Sequence, residues 1–198
     1  MKFLNNVESI AAVKPDFMGF IFYEKSKRKV AVDELDLLLA ALPSSIKKVG
    51  VFVNASYHKI LKFKNKFDLI QLHGDETPKY CKQLKDERCS IIKAFGVNEE
   101  FDFNNIKKYL PYCNYFLFDT KTFDYGGSGK KYNWQKLNDY QFNKPFFLSG
   151  GISLDDIDLI NEIQHPQLYA VDINSKFEIK PGVKNVEQVQ SFIKKIRL

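Results

Sequence analysis

Seven short apolar runs, rich in β-branched and aromatic residues, recur along the chain at intervals of roughly 20 to 30 residues. They are Phe17 to Tyr23, Lys48 to Val53, Leu69 to His73, Ile91 to Gly96, Tyr115 to Thr120, Pro145 to Ser149 and Leu168 to Ile173. Between them lie stretches of helical periodicity: Val32 to Ala41, Tyr57 to Asn65, Pro78 to Lys85, Phe103 to Leu110, Trp134 to Tyr140, Leu154 to Glu162 and Val186 to Ile196. Strands separated by helices return to the same end of a sheet and pair in parallel, so the pattern predicts an α/β fold of repeated strand-helix units.

Asn6 to Val13 reads as a further helix, capped by Asn5 or Asn6, with no strand before it. Seven strand-helix units behind a lone helix predict a (β/α)8 TIM-type barrel with its first strand absent from the given chain. Barrel closure ties strand number to shear, so that omission is a large one. Residues 1–198 are expected to form one barrel domain, since no linker or low-complexity segment interrupts the series. Helix starts are predicted at Asp33, at Thr77 with Pro78 in the first helical position, and at Ser153 followed by Asp155 and Asp156.

The formal charge of +6 raises the question of nucleic acid, but the cations are dispersed. Arginine occurs only at positions 28, 88 and 197, and the lysines are intermixed with acids as on a solvated helix face. Three cysteines, Cys81, Cys89 and Cys113, lack CxxC spacing and predict neither a disulfide framework nor a metal site. No segment approaches the roughly 20 apolar residues of a membrane span, and no leader is recognisable at Met1. A cytoplasmic protein is expected, without a membrane or nucleic-acid partner.

Parallel α/β folds bind their ligands at the carboxyl ends of the strands. The residues closing the runs here are Tyr23, Asn54, Gln71, His73, Lys93, Asp119, Ser149, Gly150, Gly151, Asp172, Asn174 and Ser175. Gly150 and Gly151 lead from a strand into a helix start, which lets backbone N–H groups approach an anion; Asn174 and Ser175, after the last strand, could supply the second half of a phosphate site. The structural alternative is a tight βα turn. Asp119 ends an apolar strand, where burial disfavours its charged form and suits it to donate a proton; the alternative is a cap or ion pair. Gly127 and Ser128 belong to a glycine-dense loop with the backbone freedom of a lid. Arg28 could clamp a carboxylate or be a surface cation, and His73 could bind or simply pack.

These motifs resemble those of phosphoribosylanthranilate isomerases over nearly the whole chain. The resemblance rests on Pro15 to Tyr23, Lys25-Ser26-Lys27-Arg28, Val49 to Asn54, Gln71 to Glu76, Phe118-Asp119-Thr120, Gly126 to Gly129, Ser149-Gly150-Gly151 and Val171 to Ser175, in order and approximate spacing. It implies a cofactor-free Amadori rearrangement by a monomer or homodimer, with a sugar phosphate as substrate. By carry-over, Asp119 is the general acid, Arg28 meets the anthranilate carboxylate, and the Gly150-Gly151 and Asn174-Ser175 loops cradle the phosphate. The family's general base is a cysteine in a Lys-x-Cys-Gly-Met pattern; that pattern does not occur here, and Met1 aligns with its methionine, so the resemblance implies impaired proton abstraction by the 198 residues alone. The chain also departs from the family at Lys27, usually proline, and around Lys176-Phe177-Glu178, usually containing glycine. Other readings are a pentose-phosphate epimerase, which needs metal-binding histidines where only His73 qualifies, an indole-glycerol-phosphate synthase, which needs a lysine set and a longer N-terminus, and a noncatalytic phosphate-binding barrel.

Overall fold

The computed structural model describes residues 1–120 and 132–196. In chain order the elements are α1 (Leu4–Ala12), β1 (Phe17–Ile21), α2 (Leu35–Ala40), β2 (Lys47–Phe52), α3 (Tyr57–Phe63), β3 (Leu69–Leu72), α4 (Pro78–Asp86), β4 (Ile91–Val97), β5 (Tyr115–Thr120), β6 (Phe146–Leu148), α5 (Ile157–Asn161), β7 (Leu168–Val171), β8 (Glu178–Lys180), β9 (Val183–Lys184) and α6 (Val186–Ile196). Strands β1 to β7 form one seven-stranded sheet in sequential order, and every pairing within it is parallel. The seven apolar runs are these seven strands. They were legible because a parallel sheet is covered on both faces, so its strands read as near-continuous apolar runs: all four residues of β3 and all three of β6 are buried.

The two-residue pleat divides the strand side chains between two cores. Val49, Leu69, Ile92, Ala94, Leu117 and Phe147 pack together on one face, which is the inside of the curled sheet. Their sequence neighbours Phe116, Phe118, Phe146 and Leu148 join the larger core beneath the helices. There Phe118 meets Phe103, Tyr140 and Phe146 with ring centroids 5.0 to 5.1 Å apart, the separation at which tilted and edge-on rings attract.

Several local expectations need correction. The helices expected at Phe103 to Leu110 and Trp134 to Tyr140 are 3-10 turns, Phe103–Tyr109 and Trp134–Asp139. Each opens on a side chain that bonds a backbone N–H two residues on, Asp102 to Asn104 and Asn133 to Gln135, a local arrangement that competes with the α-helical ladder. Asp33 does not cap α2, which starts at Leu35 with no side-chain cap. Thr77 does cap α4, its hydroxyl accepting from Tyr80 N–H at 3.2 Å with Pro78 in the first turn. Helix α1 begins at Leu4 without a side-chain cap. Instead of capping, Asn6 accepts from Lys184 N–H at 2.8 Å and donates to Lys184 C=O at 2.9 Å, fastening α1 to β9 as a neighbouring strand would. The β8–β9 hairpin was not foreseen; its Pro181-Gly182 corner, with Gly182 at φ 87°, has the order and sign of a type II turn.

Two strand-closing residues read as candidates, Lys93 and Asn54, serve the scaffold instead. Ile92 and Ala94 face inward, so Lys93 faces outward, where it is 2% exposed. Its ammonium donates to the carbonyls of Leu72, Gly74 and Ala94 at 3.2, 2.7 and 2.9 Å and pairs with Glu76 at 3.2 Å. Glu76 in turn accepts from Asn54 N–H at 2.8 Å and Gly74 N–H at 3.0 Å. This buried knot holds the loop that follows β3. Removing one partner of a buried pair strands the other, so Lys93→Met is expected to cost about 3–5 kcal/mol by urea unfolding; a loss below about 1 kcal/mol, the range of a solvated pair, would show that water replaces the ammonium.

Candidate active site

In four of the strands, β3, β5, β6 and β7, the inward column turns polar one pleat past its last apolar residue, and these positions converge on the carboxyl end of the sheet. Leu69 leads to Gln71 and His73, Leu117 to Asp119, Phe147 to Ser149, and Ala170 to Asp172. Three of them sit on backbone ladders that run past the strand ends: His73 N–H donates to Phe52 C=O at 2.8 Å, Ser149 to Phe118 at 2.9 Å and Asp172 to Leu148 at 2.7 Å. A cavity of about 950 Å³ opens above and alongside them. Its lining includes Tyr23, Arg28, Gln71, His73, Asp119, Ser149, Gly150, Gly151, Asp172, Asn174 and Ser175. Of the strand-closing set, all but Asn54 and Lys93 are brought together. Gly127 and Ser128 lie outside the described residues.

Asp119 and His73 form a pair. His73 Nε2 lies 3.2 Å from Asp119 Oδ2, and the amide nitrogen of Gln71 lies 2.9 Å from His73 Nδ1. With Gln71 donating to Nδ1, the imidazole carries its proton on Nε2 and donates it to Asp119. The other carboxylate oxygen accepts from Thr120 N–H at 2.8 Å. Asp119 is thus aimed by two donors, and with its side chain 25% exposed it faces the cavity rather than an apolar pocket. Asp172, which accepts from the Ser149 hydroxyl at 3.2 Å, is held above the usual aspartate range by desolvation and then by the charge of Asp119.

Arg28 reaches the cavity through a tight return after β1: Ser26 N–H donates to Tyr23 C=O, Arg28 N–H to the Ser26 hydroxyl, and Val30 N–H to Ile21 C=O. The arginine does hold a carboxylate, but an internal one. Its Nε lies 3.0 and 2.9 Å from the two oxygens of Glu178, and an Nη lies 2.7 Å from Oε2. That occupies one edge of the fork and leaves the other N–H groups for a second anion. Sequence reasoning missed Glu178 and Lys184, which joins the same network; the Pro-Gly corner at 181–182, flanked by short extended segments, was the one available signal. Burial works to raise Glu178, but Arg28 and Lys184 overcome it and hold the carboxyl below the usual range. Lys184 is lowered by burial.

The two loops expected at a phosphate carry different geometry. Gly150 has φ 103° and Gly151 φ 66°, conformations that glycine adopts without penalty. The helix start after them is a 3-10 turn, Leu154–Asp156, whose Ser153 N–H is taken by Asp156 at 2.7 Å. Donors for an anion therefore come from earlier in the loop. Among the described residues no hydrogen bond uses the N–H groups of Gly150, Gly151, Asn174 or Ser175.

The family model for N-(5'-phosphoribosyl)anthranilate (PRA) isomerase matches residues 2–195. The chain belongs to this family. Among its relatives, the N-(5'-phosphoribosyl)anthranilate isomerase of Parabacteroides distasonis is 40% identical over 96% of this chain and 88% of its own length, and that of Phocaeicola vulgatus 39% over 97% and 92%. The crystal structure of the Thermotoga maritima phosphoribosyl anthranilate isomerase superposes with a TM-score of 0.88 at 33% identity, covering 100% of this chain and 95% of that one. The isomerase family accounts for the order of the motifs, and the epimerase and synthase readings fall. The protein is an isomerase of tryptophan biosynthesis, with the parallel α/β sheet of TIM-type isomerases.

The isomerase's Gly150 leaves no room for a side chain: a Cβ there would lie 2.3 Å from the Thr120 hydroxyl and 2.6 Å from Thr120 N. Gly150→Ala is therefore expected to cost about 1–3 kcal/mol in thermal unfolding, and more than Gly151→Ala. Equal costs at the two positions would mean that Thr120 yields freely.

Proposed function

We propose that this cavity carries out the Amadori rearrangement of N-(5'-phosphoribosyl)anthranilate to 1-(2-carboxyphenylamino)-1-deoxyribulose 5-phosphate, without a cofactor. The observation that carries the reading is that a histidine-paired carboxylate, Asp119, shares one cavity with two means of holding anions: the open edge of Arg28 and the N–H groups of the Gly150-Gly151 and Asn174-Ser175 loops, which have no hydrogen-bond partner among the described residues. The substrate needs all three. It carries a phosphate at one end and an aromatic carboxylate at the other, and its sugar ring opens only if the ring oxygen is protonated as the C1'–O bond breaks. The Schiff base that results gives its C2' proton to a general base distinct from the acid; the electron pair forms the C1'–C2' double bond as the C1'=N pair withdraws onto nitrogen, and the enol ketonises with a proton added at C1', so the aldose becomes a ketose with no net oxidation.

In this reading Asp119 delivers the proton to the ring oxygen, and His73, hydrogen-bonded to it, keeps the carboxyl turned toward the sugar. Arg28 receives the anthranilate carboxylate on the edge that Glu178 leaves open. The backbone N–H groups of the two loops take the phosphate. A crystal structure of a phosphoribosyl anthranilate isomerase in complex with reduced 1-(o-carboxyphenylamino)-1-deoxyribulose 5-phosphate, 29% identical and covering 100% of this chain and 95% of that one at a TM-score of 0.84, is consistent with a ligand of this shape in a cavity of this kind. Among the described residues no helix is long and apolar enough to cross a membrane, and a cytoplasmic setting fits the reading.

The test combines binding and turnover. The protein is expected to bind the reduced product, and Asp119→Asn to keep that binding while the loss of phosphoribosylanthranilate fluorescence slows by about 10²- to 10⁴-fold. Near-normal turnover would remove Asp119 from the role of acid. Arg28→Ala is expected to raise KM more than it lowers kcat, because a carboxylate clamp is made in ground and transition states alike; an unchanged KM would count against the clamp.

A further inference from the structure

The ion network behind the cavity has a logic that neither Arg28 nor Asn174 explains alone. The Glu178 carboxylate, 4% exposed, receives the Arg28 guanidinium on both oxygens, the Lys184 ammonium at 3.1 Å and the Gly182 N–H at 3.1 Å. The same ammonium donates to the main-chain oxygen of Asn174 at 2.9 Å and to its side-chain oxygen at 2.6 Å. Both acceptors of Asn174 are thereby turned onto a cation. That matters at an anion site, because a carbonyl oxygen facing a phosphate repels it, whereas an amide with its oxygen occupied presents only its NH₂ donors.

Residues 28 and 174 are thus joined through a single carboxylate and a single ammonium. We propose that Glu178 and Lys184 are positioning residues that couple the two ends of the substrate site, Glu178 setting the arginine for the aromatic carboxylate and Lys184 setting the asparagine loop for the phosphate, without either touching the ligand. The proposal rests on the reading of Arg28 and Asn174 given above. Its content is the coupling: with Lys184 removed, Glu178 keeps the Gly182 N–H but has the guanidinium as its one ion-pair partner among the described residues, and holds that group back from a ligand; with Glu178 neutralised, the buried ammonium loses its counter-charge and its grip on Asn174 loosens.

Titration with three probes tests this in the full chain: inorganic phosphate for one end, 2-aminobenzoate for the other, and the reduced product for both. Lys184→Met and Glu178→Gln are each expected to weaken both small probes by about fivefold or more. Lys184→Arg, which keeps the charge, is expected to restore most of the loss. In an Asn174→Ala background, Lys184→Met is expected to have no further effect on phosphate, a non-additivity that general destabilisation does not produce. The coupling is overturned if each variant weakens only the probe of its own end, if the effects of Lys184→Met and Asn174→Ala on phosphate simply add, or if both variants bind like wild type. A wild-type protein that binds none of the three removes the reading of the site and this inference with it. Should Lys184→Met fail to fold, Glu178→Gln and Lys184→Arg carry the same comparison.

Discussion

The polar end of this sheet hangs on the two-residue period of a strand. In a parallel sheet covered on both faces, the pleat sends alternate side chains into two different cores, and both must be apolar for most of the strand's length. Only beyond the last inward apolar residue, where the barrel interior gives way to the cavity, can a polar side chain occupy the inward column at low cost. Gln71, His73, Asp119, Ser149 and Asp172 sit at such positions, carried there by Leu69, Leu117, Phe147 and Ala170 beneath them. The placing of this polar set is inherited from the ladder, since the backbone N–H groups of His73, Ser149 and Asp172 still bond the neighbouring strand.

The same rule explains what was legible in the sequence and what was not. Short, buried, β-branched and aromatic runs stand out in any sequence, so the seven strands and the polar residues closing them were readable. Parity was the harder matter. Lys93 was counted among the strand-closing residues, yet it is the third residue of β4 and stands one residue out of phase with Ile92 and Ala94, and so belongs to the outer face, where Glu76 and three carbonyls receive it. Asn54 likewise spends its N–H on Glu76 and its side-chain oxygen on Asp75 N–H. Neither outcome can be read from residue type at a strand end without counting the pleat.

A second class of feature escaped because its partners are remote. Arg28 and Glu178 are 150 positions apart, and nothing local to either announces the other. Arginine after a first strand is compatible with a solvent cation, an internal ion pair or a ligand clamp, and the choice is made by a hairpin near the other end of the chain. The 3-10 turns show the opposite effect, with local chemistry prevailing over period: Asp102 and Asn133 each bond a nearby N–H, and a helical apolar pattern of six or seven residues is too short to resist.

The sequential strand order carries a consequence for how the molecule assembles. Each of the six parallel pairings joins neighbours in the chain, so the sheet can grow outward from any adjacent pair at modest loop-closure cost. The Arg28–Glu178–Lys184 network closes a loop of the cavity wall between residues 150 positions apart. It forms only when the two extremities of the polypeptide have come home. A ligand that needs both Arg28 and the Asn174-Ser175 loop would bind only molecules in which this network has formed, and by mass action would stabilise the finished wall over any partly assembled one.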